Sequence, residues 1–346
     1  MKSACVIEYR ELEGRILAAL RADLREEEFA ALALEAHAFQ KHRNTPYANF
    51  CATRPVAMRW QEIPAVPQGA FKHADLRCFP EEEIERTFLT SGTTGEGRGR
   101  HHFCSLALYH GAVERGWACL GLPRWRMLAL TQQPWEARES SLAEMMHALP
   151  EPSQFFVGTD GQLLTAELAQ RLHWHIDSAE PVLILGTALA FLNFFEHCDR
   201  QGWRFQLPAG SAAMETGGYK GSGRELTKPE LYAMFGESLG LAPDDVINEY
   251  GMTELSSQFY TRGLGGVHAG PPWVRAVVID PETGGEAAVG ETGVLRIFDL
   301  ANLGSVLAVE TQDLAVRREH GFELLGRDPA ALPRGCSRAA DERMRA

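Results

Sequence analysis

Between residues 7 and 42 the apolar positions fall at helical spacing. Leu12, Ile16, Leu17 and Leu20 form one stripe, and a second follows from Phe29 to Phe39, which predicts helix through this stretch. Pro46, in RNTPYANF, breaks the pattern. From residue 84 to 265 short apolar runs alternate with amphipathic ones. RMLALT (126–131), PVLILG (181–186) and DVINEYG (245–251) read as buried strands. SSLAEMMHAL, TAELAQRLHWHI, ALAFLNFFEHC and KPELYAMFGESLG read as the helices between them. Strand–helix alternation predicts an α/β sheet with helices on its faces. After Gly263 the character changes. GLGGVHAGPPW is a Gly/Pro hinge, followed by closely spaced β-like runs: VRAVVID, GVLRIF, VLAVET, LAVRRE and GFELLG, separated by turns such as DPETGG and VGETG. The expected organisation is a helical region at 1–83, an α/β core at 84–265, a small β subdomain at 266–327 and a Pro-, Arg- and Ala-rich tail at 328–346.

Composition narrows the field. The chain of 346 residues is long enough to bury a substantial core, and its 45% hydrophobic and 23% charged residues are ordinary for a globular protein. A net charge of −12 argues against nucleic acid as the main partner, because phosphate backbones need a basic footprint. The sequence has no apolar run long enough to span a membrane and no signal-peptide core at its start. The seven cysteines (5, 51, 78, 104, 119, 198 and 336) are scattered, odd in number and without a Cys-x-x-Cys pair. A disulfide framework is not expected, and the reading is a reducing cytoplasm.

The chemistry begins at FLTSGTTGEGRGRHH (88–102). Thr90, Ser91, Thr93 and Thr94 alternate with Gly92, Gly95, Gly97 and Gly99, and Arg98 and Arg100 add positive charge. Small hydroxyls, close backbone approach and inward N–H groups are what a polyphosphate cradle needs. Gly92 and Gly97 have Walker spacing, but Arg98-Gly99 follows where Lys-Ser/Thr is required. Nor are the glycines placed for a dinucleotide fingerprint. From this stretch alone a phosphate loop and a mobile Ser/Thr/Gly linker fit equally.

A second segment, INEYGMTELSS (247–257), carries Tyr250, Gly251, Thr253 and Glu254 after an apolar strand. ETGGYKG (215–221), ETQDLA (310–315) and FELLGR (322–327) complete a series. Taken in this order the segments resemble the adenylate-forming superfamily of acyl- and aryl-activating enzymes. The resemblance implies an adenylate-forming large domain, α/β subdomains plus a small β subdomain, that uses ATP and Mg2+. It assigns Thr90, Ser91, Gly92, Thr93, Thr94 and Gly95 to the phosphates, and Gly217, Gly218, Tyr250 and Gly251 to adenine. Thr253 and Glu254 fall to phosphate and magnesium as catalytic positions, and Asp313 and Arg327 to ribose. One departure is Gln312, which stands where the superfamily has glycine.

Over residues 85–340 the likeness sharpens. GPPWVRAVVIDPETGG, GETGVLRIFDLANLGSVLAVETQDLA, GFELLGR and PRGCS, with ESSLAEMMHAL, LILGTALAF and ETGGYKGSGRELTKPEL, resemble the acyl-protein synthetase family. This is the ATP-dependent component of the fatty-acid reductase of bacterial bioluminescence. The resemblance implies that a carboxylate, fatty or aryl, is adenylated, passed to a cysteine near the C-terminus as a thioester, and reduced by a partner protein. Cys336, in RGCS, matches that cysteine; Arg327, Arg334 and Arg338, close in sequence, would favour its thiolate. An external coenzyme A or carrier-protein thiol is the alternative acceptor. A catalytically inactive nucleotide- or acyl-AMP-binding partner is the alternative of a different class.

The chain ends ten residues after Cys336, which leaves no room for the superfamily's small C-terminal domain and its lysine. Arg98, Arg100 and Lys220 are candidate replacement cations, and slow turnover in isolation is the expectation. His101-His102 either face the reacting groups or are a solvated loop pair. His173 and His175 point to different helix faces and make a poor metal pair. Trp135, Phe191, Phe194 and Phe195 are read as core before pocket lining.

Overall fold

The computed structural model describes residues 4–90, 97–217 and 226–327, with side chains from Ile7 onward. The N-terminal stretch forms α1 (Ala4–Ala19) and α2 (Glu26–Arg43). The predicted helical stretch is therefore interrupted between the two apolar stripes. Glu26, Glu27 and Glu28 open α2 and Lys41 and Arg43 lie in its last turn, each charge complementing the helix dipole. Pro46 does not end regular structure as the pattern suggested. It lies in the first turn of α3 (Thr45–Cys51), where a missing N–H costs nothing, and Asn44 caps that helix by accepting from Tyr47 N–H at 3.0 Å. β1 (Val66–Pro67), the hairpin strands β2 (Arg86–Leu89) and β3 (Arg100–Phe103), and α4 (Ala107–Cys119) follow.

The middle of the chain alternates as predicted, with β5, β7 and β9 beyond the three strands expected: β4 (Arg126–Leu130), α5 (Ser141–Ala148), β5 (Ser153–Phe155), α6 (Thr165–Ser178), β6 (Val182–Thr187), α7 (Ala188–Gln201), β7 (Ala212–Thr216), α8 (Lys228–Leu239), β8 (Val246–Tyr250) and β9 (Phe259–Arg262). The strands form one sheet in the order β5-β4-β6-β7-β8-β9, parallel except for β9. Helices cover such strands, so the central ones, β6 and β7, are buried almost end to end rather than on alternate residues. α7 packs Phe191, Phe194, Phe195 and Cys198 into the same core as Phe235 of α8. These phenylalanines are wholly buried core, whereas Trp135 is 61% exposed. His175 is buried and His173 is exposed, on different faces of α6 as their spacing requires.

The last strands are β10 (Val274–Ile279), β11 (Thr292–Asp299), β12 (Ala308–Arg318) and β13 (Gly321–Arg327). Their order is β1-β12-β11-β10, with β13 also on β12. VLAVET and LAVRRE, read as separate runs, are parts of the single strand β12; no turn residue divides them, and Gln312 continues the extended chain.

The chain divides into two compact units that do not follow chain order. One holds the described residues of Met1–Cys119, Met252–Gln258 and His268–Ala346; the other holds those of Leu120–Gly251 and Phe259–Val267. Within the first, Gln40 of α2 binds the chain before β12. Its amide donates to the carbonyls of Asn302 and Leu303 at 3.0 and 3.2 Å and accepts from Leu307 N–H at 2.9 Å. Among the described residues no helix is long and apolar enough to cross a membrane.

Candidate functional site

The Ser/Thr/Gly loop joins β2 to β3, so it connects an antiparallel hairpin and does not lead from a strand into a helix. Its base is closed twice. Thr90 N–H donates to Gly99 O at 2.9 Å, and Gly99 N–H donates to Thr90 Oγ1 at 2.8 Å. A Cβ at residue 99 would stand 2.9 Å from Thr90 Cγ2, so any side chain there would displace Thr90 from this bond. Arg98 Nε donates to Thr90 O at 2.8 Å and Nη2 to Leu89 O at 3.4 Å, which ties this guanidinium to the hairpin base. Arg100 begins β3 and is exposed. Ser91, Gly92, Thr93, Thr94, Gly95, Gly218, Lys220 and Cys336 lie outside the described residues.

In the same unit, residues 252–258, which carry Thr253 and Glu254, have no regular structure and are fastened by side chains. His101 is buried among Phe71 and Phe103. Burial pushes it down to about 4, so the ring is neutral and donates its Nδ1–H to the Thr253 carbonyl at 2.8 Å. His101 therefore positions the segment and is not a solvated loop residue. His102 faces Thr87 across the hairpin, Nδ1 to Oγ1, at 2.8 Å. Asp299, wholly buried, accepts from the N–H groups of Ser256, Ser257 and Ala301 at 3.0, 2.9 and 3.0 Å and from the Ser257 hydroxyl at 2.8 Å. Burial lifts Asp299 to about 6 against the pull of these donors. Asn302 donates to Glu254 O at 2.8 Å and accepts from the Ser256 hydroxyl at 2.7 Å. Sequence reasoning missed Asp299 and Asn302. The available signal was a carboxylate ending the apolar run GVLRIFD, where only a buried network could satisfy it.

Glu254 is itself buried, and Gln68 Nε2 donates to its Oε1 at 3.2 Å. The described residues contain no group of three His, Cys, Asp or Glu side chains that could hold a metal. A lone carboxylate fits magnesium that arrives with ATP, since Mg2+ keeps waters and phosphate oxygens and takes one or two protein carboxylates. The Gln68 Oε1 atom is buried with no hydrogen-bond partner among the described residues, a further hard oxygen beside Glu254.

β12 and β13 bring Asp313 and Arg327 together as a directly opposed cross-strand pair, Nε to Oδ1 3.9 Å. Asp313 is mostly buried and Arg327 half exposed. Asp313 N–H donates to Thr311 Oγ1 at 3.1 Å, and the Thr311 hydroxyl donates to Leu295 O at 2.8 Å, which anchors the carboxylate's strand. A carboxylate beside a guanidinium at a sheet rim offers an acceptor and donors to a vicinal diol.

In the other unit, Gly217 follows β7, and Tyr250 ends β8 with Gly251 after it, at the C-terminal ends of neighbouring parallel strands, where open α/β sheets bind ligands. Gly217 has φ +69°, and no described atom lies within 4 Å of where a Cβ would stand, so among the described residues the backbone and not crowding demands glycine. Tyr250 is buried against Phe259, ring centroids 6.1 Å apart. Just before these turns lie two buried carboxyls, Glu215 and Glu249, each pushed up to about 7 by burial. A carboxyl raised in the folded state favours folding fully below its unfolded value, and that contribution is lost as pH rises through about 7. Buried histidines act the other way: His101, pushed down to about 4, favours folding above its unfolded value and loses that as pH falls. A Glu249→Gln variant isolates the carboxyl. Relative to wild type it will gain thermal stability between about pH 5 and pH 7 and level off above; a gap independent of pH would contradict the raised carboxyl.

The acyl-protein synthetase family model, LuxE, matches residues 6–345. A long-chain-fatty-acid–luciferin-component ligase of Aliivibrio fischeri is 23% identical over 303 residues, 83% of this chain and 79% of that protein. Its Vibrio harveyi counterpart is 24% identical over 306 residues, 82% and 78%. Among solved structures, a 2-hydroxyisobutyryl-CoA ligase in an open conformation with 2-HIB-AMP and CoA has a TM-score of 0.62 at 15% identity, covering 91% of this chain and 78% of that one. ATP-bound MatB from Rhodopseudomonas palustris has 0.50 at 17%, covering 72% and 49%. These likenesses establish the fold.

Proposed function

Because the chain belongs to the acyl-protein synthetase family, we propose that it activates a carboxylic acid with ATP and passes the acyl group to Cys336 for reduction by a partner protein. The observation that carries this reading is a family match spanning residues 6–345, which includes every motif and the Cys336 position. In the first step a carboxylate oxygen attacks the α-phosphorus of ATP and pyrophosphate leaves. In the second the Cys336 thiolate attacks the acyl carbon, the acyl–phosphate bond breaks and AMP leaves as the thioester forms. Thr90, Ser91, Thr93 and Thr94 hold phosphates, Gly217, Gly218 and Tyr250 face adenine, and Asp313 and Arg327 bind the ribose hydroxyls. Thr253 and Glu254 serve the α-phosphate and the metal; Mg2+ bound with ATP would neutralise phosphate charge. The curated relatives are named for long-chain fatty acids, and a fatty acid is the substrate class proposed here. A thiol acceptor suits the reducing cytoplasm expected from the scattered cysteines.

The test is ATP–pyrophosphate exchange across a panel of carboxylic acids. Long-chain fatty acids are expected to support exchange at least about tenfold above short or amino acids, a factor worth only a few buried methylenes. No exchange with any acid, with or without a reductase, would leave a nucleotide-binding partner protein as the reading.

A further inference from the structure

β7 and β8 end in two pairs of polar residues inside an otherwise apolar sheet. Their register pairs Glu215 with Asn248 and Thr216 with Glu249. Successive side chains in a strand point to opposite faces, so the two pairs grip the strand ends from both sides. On one face, Asn248 Nδ2 donates to Glu215 Oε1 at 2.7 Å, and the Tyr232 hydroxyl of α8 donates to the same oxygen at 3.3 Å. Lys228, also of α8, donates to Asn248 Oδ1 at 3.4 Å. On the other face, the Thr216 hydroxyl donates to Glu249 Oε2. Tyr260 of β9 lies opposite Glu249. Glu215, Glu249 and Thr216 are all buried, at 4%, 4% and 7% exposure.

Burying two carboxyls is costly, and apolar residues of the same size would hold a parallel sheet more cheaply. What a polar clamp adds is a fixed angle and register between two strand ends. Gly217 comes immediately after Thr216, and Tyr250-Gly251 immediately after Glu249. We propose that Glu249 with Thr216, and Glu215 with Asn248, are positioning residues for nucleotide binding: they lock the Gly217 turn against the Tyr250 strand end. The proposal rests on the reading that Gly217 and Tyr250 face adenine. The carboxyls touch no reacting atom; they act through the two turns. Their tendency to keep a proton near neutral pH suits this task, since a protonated carboxyl donates and accepts within one clamp.

The experiment measures KM for ATP and kcat of carboxylate-dependent pyrophosphate exchange in Thr216→Val, Glu249→Ala, Glu249→Gln and Tyr250→Ala, each checked by thermal unfolding. Thr216→Val removes the hydroxyl at constant shape. It and Glu249→Ala should raise the ATP KM about tenfold, the size of one lost buried hydrogen bond, with kcat changed less than about threefold. Glu249→Gln, which can still accept from Thr216, should restore most of the affinity. Should Glu249→Ala not fold, the two shape-conserving variants carry the test. If Thr216→Val, and Glu249→Ala where it folds, lower kcat and leave KM unchanged, or move neither while Tyr250→Ala raises KM, the clamp has no positioning role and the adenine reading stands. If Tyr250→Ala also leaves KM unchanged, the adenine reading itself has failed and the proposal falls with it.

Discussion

A Cys336→Ala variant will acquire no covalent acyl group from ATP and acid, while its carboxylate-dependent pyrophosphate exchange stays within about threefold of wild type. The two steps use different nucleophiles. The carboxylate of the substrate attacks ATP, and a thiol is needed only afterwards. Alanine removes the nucleophile and nothing else, so labelling should fall by roughly 100-fold or more, to background. The described cysteines make a clean comparison. Cys51, Cys78, Cys104 and Cys198 are buried, and burial pushes Cys104 and Cys198 up to about 11, which starves them of thiolate. Among the described cysteines Cys119 is the exposed one, so Cys119→Ala is the matched control and should label normally. Labelling that survives Cys336→Ala would move the acceptor elsewhere. Retained exchange with acyl transfer to added coenzyme A would favour an external thiol.

Asp299→Ala should destabilise the protein by about 3–5 kcal/mol, the range for breaking a buried charged network. It would strand the N–H groups of Ser256, Ser257 and Ala301 and the Ser257 hydroxyl, which also accepts from Trp273 Nε1 at 3.0 Å. Denaturant unfolding measures the loss. Exchange should fall with it by at least about tenfold even where the variant is folded, because the same donors fix the segment carrying Thr253 and Glu254. Asp299→Asn, which keeps an acceptor oxygen, should be milder than alanine. Equal stability of wild type and Asp299→Ala would refute the anchoring role.

Much of this protein was legible as sequence. Strands β4, β6 and β8 and helices α5 to α8 appeared in the expected places, whereas the short strands β5 and β7 were not read from the sequence. Buried parallel strands are continuous apolar runs, and the helices between them keep a single apolar face, as in Phe191, Phe194, Phe195 and Cys198 of α7. Motif order was legible because each motif is a run of distinctive residue types at a strand end or turn. The hydroxyls and glycines of the loop after β2, the glycine at 217 with φ +69°, and the Asp313–Arg327 pair are such cases.

Periodicity was a poor guide where a local signal had two meanings. Pro46 broke the apolar pattern yet begins a helix, because proline suits a first turn as well as a loop. VLAVET and LAVRRE read as separate runs, and only pairing with β11 and β13 shows one strand. His101 left two readings open, and the buried bond to Thr253 O decides between them. The sequence by itself determined the fold class, the order of the motifs and the chemical types available, since these depend on local spacing and residue chemistry. The tertiary structure alone decided which distant residues hold the motifs in place. Asp299, Asn302, Gln68 and His101 gather around residues 252–258, and Glu249 with Thr216 closes the ends of β7 and β8. Buried polar groups must find partners wherever the folded chain brings them, and that pairing leaves no periodic trace along the sequence.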